Sequence, residues 1–231
     1  MSVPNERAGR QVRRGERKPK CVPCRECDYV YRDMRGRELF IKRRFRHDPC
    51  YCGREKSFRY LWRRTEDGDY LWRKPPDADW YLYRLDKIWP VKGQTVYWTE
   101  GEKDADALAT AGISGLPVYA TSHHQGAAVG ATVEQAKWLL GARTVVLVAD
   151  RDNAGAFDAE NRVMLLEEAR FDGLVEIARA REGKDAADHV AAGYKAHELV
   201  PVSMRDIIRA AKAYRGKAAS ERRAEYTGAK R

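Results

Sequence analysis

The sequence predicts an α/β fold, in which a parallel sheet flanked by helices is preceded by a small, basic, β-rich module. Two patterns indicate this fold. After residue 93, apolar strands alternate with helical segments, an order typical of right-handed βαβ units and a parallel sheet. Before it, residues 21–92 contain short aromatic and β-branched runs of period two, separated by turns such as Asp67-Gly68, which indicate antiparallel hairpins.

The β-rich module follows an N-terminal arm. Residues 1–20 contain Pro, Gly and many basic residues without apolar periodicity, so we expect a flexible basic arm. The module itself occupies residues 21–92. Its predicted strands are residues 29–32, 38–46, 58–63, 70–73 and 80–85.

The α/β domain is predicted over residues 93–202. Its predicted strands are residues 95–99, 117–120, 144–149 and 174–178, and its predicted helices are residues 103–111, 133–140, 156–170 and 185–192. The run TVVLVA at 144–149 is almost wholly apolar, as expected for a strand buried on both faces. Residues 203–231 are predicted to form a helix over 203–216, with Ser203 as its N-cap and Asp206 in its first turn, followed by a basic tail.

Composition argues against a membrane or exported protein. The chain has 231 residues, of which 43% are hydrophobic and 34% are charged, and its mean hydropathy is −0.70. The longest apolar run is far too short to cross a bilayer, and the basic N-terminus lacks the apolar core of a secretory signal. We therefore expect a cytoplasmic protein with no membrane partner.

Net charge divides the chain into three parts. Residues 1–92 carry +11, residues 93–200 carry −7 and residues 201–231 carry +6, within a total of +10. Basic segments neutralise the phosphates of nucleic acids, whereas clustered carboxylates repel a polyanion unless divalent cations lie between them. The pattern predicts basic segments around an acidic, metal-binding centre. A solvated charged surface with a disordered basic tail is the simpler alternative.

Acidic residues stand where three of the predicted strands end. Glu100 follows the first strand, Asp150 and Asp152 follow the third, and Asp185 and Asp188 follow the fourth. The carboxyl ends of parallel strands meet at one edge of a sheet, so we expect these side chains to converge. Helix capping explains single acids such as Asp188, but not the same placement after three strands. The sequence therefore predicts a Mg²⁺ or Mn²⁺ site.

The acidic segments EGEKD at 100–104, DRDNAG at 150–155 and KDAAD at 184–188 resemble the motifs of the Toprim domain. The segments YVYRDMRGRELF at 29–40 and YLYRLDKI at 81–88 make the chain most similar to the Toprim primases of bacteriophages and actinobacteria, over roughly residues 29–193. The resemblance implies a Rossmann-like Toprim fold and synthesis of RNA primers on single-stranded DNA from ribonucleoside triphosphates, in a bacterial or phage-infected cell. The sequence has no Gly-x-x-x-x-Gly-Lys-Ser/Thr loop, so we expect a stand-alone primase whose partner is a replicative helicase.

The resemblance also implies a role for each matching residue. Glu100 matches the general acid/base or metal-adjacent glutamate, Asp150 and Asp152 match the Mg²⁺-coordinating pair, and Asp185 matches a further acid of the metal site. Asp104 matches the second acid of the first motif and is expected to orient its loop. The supporting residues are Asp104, Asp188 and Lys184. Two Mg²⁺ ions would bridge the triphosphate and the primer hydroxyl.

All five cysteines lie within residues 21–52, in CVPCREC and CYC. Their odd number argues against a closed disulfide framework, and their clustering suggests tetrahedral Zn²⁺. The preferred ligands are Cys21, Cys24, Cys50 and Cys52, with Cys27 as a substitute and His47 as a weaker ligand. Free thiols in a reducing compartment are the alternative.

Arginines and aromatic residues are interleaved in the β-rich module. Alternation along residues 58–63 places the arginines on the face opposite to the rings, so we expect the rings to be mainly core and the arginine face to contact DNA. The candidate nucleic-acid-binding residues are Arg43, Arg44, Arg59, Arg63, Arg64 and Arg73. In the loop TSHHQGAAVG, we expect His123 and His124 to be exposed to solvent, with contact to nucleotide phosphates as the alternative.

Two other functions fit the same residues. A Toprim nuclease would use the carboxylates to activate water instead of a primer hydroxyl. A non-catalytic DNA-binding protein would resemble the recombination mediators that join a cysteine cluster to a Toprim domain.

Overall fold

The computed structural model describes residues 22–47, 54–63, 70–89, 92–112, 115–127 and 129–228, which form two sheets. The arm predicted over residues 1–20 lies outside these ranges. The first sheet has four antiparallel strands in the order β1-β2-β3-β4. The strands are β1 Cys24–Arg32, β2 Glu38–Arg46, β3 Lys56–Arg63 and β4 Tyr70–Leu71. The β-rich character of the module is confirmed.

The turn between β1 and β2 is fixed by one aspartate. The Asp33 carboxylate accepts hydrogen bonds from the backbone N–H groups of Arg35 and Arg37, both at 2.9 Å. Gly36 has φ +81, a conformation that costs glycine little. This local chemistry sets the register of the hairpin that carries Lys42 and Arg44.

The prediction of a strand at residues 80–85 is wrong. Residues 78–80 form a 3₁₀ turn, and α1 spans Leu85–Ile88. Leu82, Leu85 and Ile88 are buried at a spacing of three, which suits a helical turn and not a strand. The segment packs along the second sheet, where the Tyr83 N–H donates to the Ser122 carbonyl at 2.9 Å.

The second sheet has the order β6-β5-β7-β8-β9, with the first four strands parallel and the last antiparallel. The strands are β5 Thr95–Thr99, β6 Tyr119–Ser122, β7 Thr144–Val148, β8 Leu174–Arg179 and β9 Val200–Pro201. The predicted parallel sheet is confirmed. The sequence did not predict β9, because two residues are too short to show a period.

Helices cover both faces of this sheet. They are α2 Glu102–Thr110, α3 Val133–Lys137, α4 Asn153–Glu168, α5 Ala186–Ala191 and α6 Met204–Gly228. Residues of α3, α4 and α6 pack on the face that carries Trp98 and Leu147. Residues of α2 and α5 pack on the face that carries Val148 and Ala178, in one cluster with Tyr31 and other rings of the first sheet. The two sheets therefore share a core.

The last helix is longer than predicted. It was expected over residues 203–216 and extends to Gly228, because residues 217–227 are rich in the helix formers Ala, Glu, Lys and Arg and contain no proline. Within the described part of the chain, no helix is long and apolar enough to cross a membrane.

Candidate active site

A cleft of about 540 Å³ opens where β5, β7 and β8 end, between the parallel sheet and the first sheet. Four of the predicted acidic residues line it: Glu100, Asp104, Asp150 and Asp185. The predicted supporting residue Lys184 lines it too. The structure thus brings together acids from three strand ends, as the sequence predicts. Asp152 and Asp188 do not line the cleft but contact residues that do.

A glycine allows α4 to begin beneath Asp150. The Asp152 carboxylate caps α4 by accepting the Gly155 N–H at 2.8 Å. A Cβ atom on Gly155 would lie 2.7 Å from the backbone N and O of Asp150. Since real Cβ atoms do not approach backbone so closely, only glycine permits this turn. The first turn of α4 therefore packs directly against the backbone of Asp150 and holds this residue at the cleft.

The loop before α5 is built in a similar way. The Asp185 carboxylate caps α5 by accepting the Asp188 N–H at 2.8 Å, and the Asp188 carboxylate accepts the Lys184 N–H at 2.8 Å. Gly183, at φ +76, packs against the Asp188 side chain. Asp188 therefore shapes the loop, whereas Asp185 faces the cleft.

Lysines compensate part of the acidic charge. The Lys184 ammonium lies 3.0 Å from the Asp152 carboxylate and 3.9 Å from that of Asp150. Lys103 lies 3.6 Å from Asp185. Each of these lysines is at least half exposed, at 61% and 50% of the side chain, so solvent screens the pairs and both ammonium groups can move.

Asp104 is buried beside the cleft. Its carboxylate accepts the Ala187 N–H at 3.0 Å, which ties the first turn of α2 to α5. Burial, with Asp185 nearby, raises its pKa to about 7.

The carboxylates of the cleft interact unfavourably with one another. Burial, followed by the charges of Glu100, Asp104 and Asp185, raises the pKa of Asp150 to about 8. Burial and the nearby Asp158 also raise the pKa of Glu100. At Asp152, burial is outweighed by hydrogen bonds from Gly155 and Lys184, and the pKa is lowered. A cation bound in the cleft would relieve the repulsion at Asp150.

The donor set fits a hard divalent cation. Carboxylate oxygens are the ligands that Mg²⁺ prefers, and an open cleft leaves room for the waters and phosphate oxygens that complete its coordination. Among the described residues, no group of three or more His, Cys, Asp or Glu side chains is close enough together to hold a metal ion. A cation in this cleft would therefore depend on carboxylate oxygens that are spread along its lining.

Opposite the acids, the first sheet supplies a wall of cations and rings. Strand pairing places Lys42 beside Tyr60 and Arg44 beside Phe58 on the same face. Lys56 lies at the end of the same strand as Phe58 and Tyr60. The members of this wall that line the cleft are Tyr29, Lys42, Arg44, Lys56, Phe58 and Tyr60. We call these six residues the basic wall.

The predicted arginine set is divided between two faces of the first sheet. Arg44 belongs to the basic wall, whereas Arg43 and Arg59 pair on the opposite face. Arg43 is bound to the Asp28 carboxylate at 2.7 and 2.8 Å. Arg73 lies over the Trp62 ring at 5.8 Å. Arg64 and the side chain of Arg63 lie outside the described residues.

The expectation for the aromatic rings holds in part. Tyr60 and Trp62 are partly buried against the core, whereas Phe58 and Trp72 are exposed. Phe58 and Tyr60 line the cleft. Lys42 and Lys56 were not among the residues predicted to line the site. Lys42 alternates with the core residue Phe40, and this is the signal that could have identified an inward-facing lysine.

The expectation that His123 and His124 are exposed is wrong, because both are fully or almost fully buried. The Tyr60 hydroxyl and the His124 Nδ1 are 3.0 Å apart, and the Asp79 carboxylate lies 2.9 Å from Nε2. Burial lowers the pKa of His124 to about 4. His124 therefore lines the cleft as a neutral ring and joins the basic wall to the segment before α1.

The zinc prediction falls mostly outside the described residues. Cys21, Cys50 and Cys52 lie there. Cys24 is an exposed free thiol at the start of β1, and Cys27 is a partly buried one. His47 and the Ser57 hydroxyl are 2.7 Å apart. Zinc binding stays a prediction.

The last helix also reaches the cleft, which the sequence did not predict. Tyr214 of α6 is one of its lining residues. Its ring packs on Phe157 of α4 with 5.2 Å between centroids. No local signal in the sequence links Tyr214 to the acids, because the contact joins segments about 60 residues apart.

No family model and no curated protein sequence matches the chain. Solved structures are similar at low identity. The primase fragment of the bacteriophage T7 primase-helicase protein is 19% identical, with 72% of this chain and 58% of that chain covered and a TM-score of 0.47. The RNA polymerase domain of Mycobacterium tuberculosis primase DnaG is 18% identical, with 85% and 62% covered and a TM-score of 0.48.

A third similar structure is that of the bacteriophage T7 lagging-strand DNA polymerase interacting with primase domains of two gp4 subunits bound to an RNA/DNA hybrid and dTTP. The match is 20% identical, covers 72% of this chain and 70% of that chain, and has a TM-score of 0.44. This chain spans less than two thirds of the length of the T7 primase fragment and of the DnaG domain.

Proposed function

We propose that this protein is a DNA primase, which synthesises short RNA primers on single-stranded DNA by nucleotidyl transfer in a Toprim-type active site. The observation that carries the proposal is the meeting of Glu100, Asp150 and Asp185 in one cleft, at the ends of three parallel strands, with a basic wall opposite. The resemblance of the acidic motifs to those of Toprim primases favours the same reaction.

The residues proposed to hold Mg²⁺ or Mn²⁺ are Glu100, Asp150, Asp152 and Asp185. When bound, the metal ions would supply positive charge for the triphosphate and for the in-line displacement at its α-phosphate. Lys184, now paired with Asp152 at 3.0 Å, lies at the rim and can turn its exposed ammonium toward phosphate oxygens. It thereby helps to bind the nucleoside triphosphate.

Glu100 is proposed to accept the proton of the attacking primer 3′-hydroxyl. In the metal-free protein, burial and the nearby Asp158 raise the pKa of its carboxyl. Its place at the end of β5, in the same cleft as Asp150, puts it beside the residues that would hold the reacting phosphate.

The basic wall is proposed to hold the template and the primer. Arg44 and Lys56 offer positive charge to phosphates, and the exposed ring of Phe58 offers a surface for a base. Because the wall faces the acids across the cleft, a strand bound there would present its end to Glu100. A replicative helicase is the proposed partner.

The test is primer synthesis on single-stranded DNA with labelled ribonucleotides, with and without Mg²⁺ or Mn²⁺. We expect short RNA products that require metal and disappear in Glu100→Gln and Asp150→Asn. The matched controls are Glu168→Gln and Asp172→Asn, which change exposed acids outside the cleft and should leave synthesis unchanged.

The other outcomes distinguish the competing functions. Shortening of labelled nucleic acid without added nucleotides would indicate a nuclease. Salt-sensitive DNA binding with neither synthesis nor cleavage would indicate a non-catalytic binding protein. Either result would overturn the proposed function.

We also propose that the cysteine cluster binds Zn²⁺ through Cys21, Cys24, Cys50 and Cys52. Metal analysis of the purified protein should give one zinc per chain, with loss of zinc in Cys24→Ser. A protein without zinc, purified under reducing conditions and without chelator, would contradict this assignment.

A further inference from the structure

A fully buried cluster of charged side chains lies beneath the cleft. Arg162 and Asp158 of α4 and His123 after β6 all have no exposed surface. The Arg162 Nε lies 2.8 Å from one Asp158 carboxylate oxygen, and the His123 Nε2 lies 3.4 Å from the other. Burying such groups is costly, so their positions call for an explanation beyond helix packing.

The Arg162 guanidinium binds the ends of two strands. One of its terminal NH₂ groups donates to the Trp98 carbonyl, and the other donates to the Val148 carbonyl at 3.2 Å. Trp98 stands two residues before Glu100, and Val148 stands two residues before Asp150. The guanidinium therefore joins the strand ends that carry these two acids.

The backbone pairing of β5 with β7 stops at these strand ends. The β5–β7 ladder ends at Trp98 and Leu147, so Val148 on β7 has no partner on β5. Arg162 bridges the strands just past this point. Its planar fork can serve both carbonyls at once, whereas a lysine ammonium is a single point of charge.

We propose that Arg162 is a positioning residue, which sets the separation of Glu100 and Asp150 by binding the Trp98 and Val148 carbonyls. Asp158 balances the buried charge, and His123 connects the loop after β6 to the same cluster. The expected effect on catalysis rests on the proposed function of the cleft. The contact of Arg162 with the two carbonyls, and its effect on the strand ends, do not depend on that function.

Two variants test the proposal. Arg162→Lys keeps the charge but loses the fork. The double variant Arg162→Met, Asp158→Leu removes the buried ion pair and replaces it with apolar side chains of similar size, a change that proteins often tolerate. Arg143→Lys, at an exposed arginine, is the control.

Three readouts are compared with the wild type: amide hydrogen exchange, Mn²⁺ binding by calorimetry and primer synthesis. The reporter amides are those of Ala149 and Arg151, which donate at 2.9 Å to Ala178 and Lys184. We expect exchange at least tenfold faster at these amides, unchanged exchange in β8, and about tenfold weaker Mn²⁺ binding. A displacement of about 1 Å in an active site can lower the rate by about 100-fold, so kcat should fall more than KM rises.

The outcomes separate this inference from the proposed function. Wild-type exchange at the strand ends in both variants, with wild-type Mn²⁺ affinity, would overturn the positioning role. If Arg162→Lys fails to fold, the double variant alone decides. If the wild-type protein makes no primers, the proposed function fails, while faster exchange at Ala149 and Arg151 would still support the positioning role.

Discussion

Lys42 of the first sheet and Glu102 of α2 form a buried ion pair that joins the two sheets. Their ammonium and carboxylate groups are 2.7 Å apart, and the side chains are only 6% and 3% exposed. The Lys42 ammonium also donates to the His124 carbonyl at 2.7 Å, and the Tyr31 hydroxyl donates to Glu102 at 2.7 Å. This network fixes the basic wall opposite the acids.

Breaking this pair should destabilise the fold. Lys42→Met leaves Glu102 buried without its partner, and removing one partner of a buried pair costs about 3–5 kcal/mol. Urea unfolding measures the change in the free energy of unfolding. The control is Lys137→Met, which breaks an exposed pair with Glu134 and should cost less than about 1 kcal/mol. Equal effects of the two substitutions would contradict the structural role of Lys42.

The stability of the metal-free protein should fall as the pH rises. The pKa of Asp150 is raised to about 8 from an ordinary value of 3.8, so the folded protein holds a proton that the unfolded chain has lost. The stabilisation is complete below about pH 4 and is lost as the pH passes 8. Thermal unfolding in chelator should show that the contribution of Asp150 to Tm falls between about pH 4 and pH 8, so Asp150→Asn should reduce the fall in that range. Parallel curves for both proteins would argue against the raised pKa.

Gly155→Ala should disrupt the candidate active site. The added methyl group would lie 2.7 Å from the Asp150 backbone, so the turn beneath Asp150 must move. We expect a lower free energy of unfolding and a loss of primer synthesis of at least about 100-fold, as misplaced catalytic groups produce. The matched change is Gly216→Ala, in α6, where the methyl group meets no atom within 4 Å. It should be neutral or stabilise by up to about 1 kcal/mol. Retention of full activity by Gly155→Ala would contradict the proposed support for Asp150.

The basic wall, and not the opposite face of the same sheet, should contact single-stranded DNA. Lys56→Ala is expected to reduce the slope of log K against log salt by about 0.7, the value for one phosphate contact on a single strand. Arg59→Ala, on the outer face, should leave the slope unchanged. Fluorescence anisotropy over a series of salt concentrations measures both. A larger effect of Arg59→Ala would indicate that single-stranded DNA binds the face opposite to the basic wall.

Much of the fold could be predicted because its elements have strong local periods. The strands Glu38–Arg46 and Thr95–Thr99 match their predicted limits, since alternation and apolar runs mark them clearly. The strand predicted at residues 80–85 is wrong because the aromatic residues of this segment suggest a strand, whereas its buried leucines have helical spacing.

The acids of the site could be predicted because each follows a strand, and strand ends share an edge of the sheet. The buried positions of Lys42 and Arg162 could not be predicted, because a charged residue in a strand or helix is usually exposed. Their burial depends on partners far along the chain, Glu102 for the lysine and Trp98 for the arginine. Tyr214 could not be predicted either, because its contact with Phe157 also joins residues far apart in the sequence.

The most direct test of the account is RNA synthesis on an oligothymidylate template with labelled ATP and Mn²⁺. We expect the wild-type protein to incorporate AMP from the labelled ATP into short RNA products. Labelled UTP should give no products on this template. Asp150→Asn should abolish the products, while Asp172→Asn should not. Products of equal yield from Asp150→Asn, or none from the wild-type protein that nonetheless binds the template, would contradict a nucleotidyl-transfer site in this cleft.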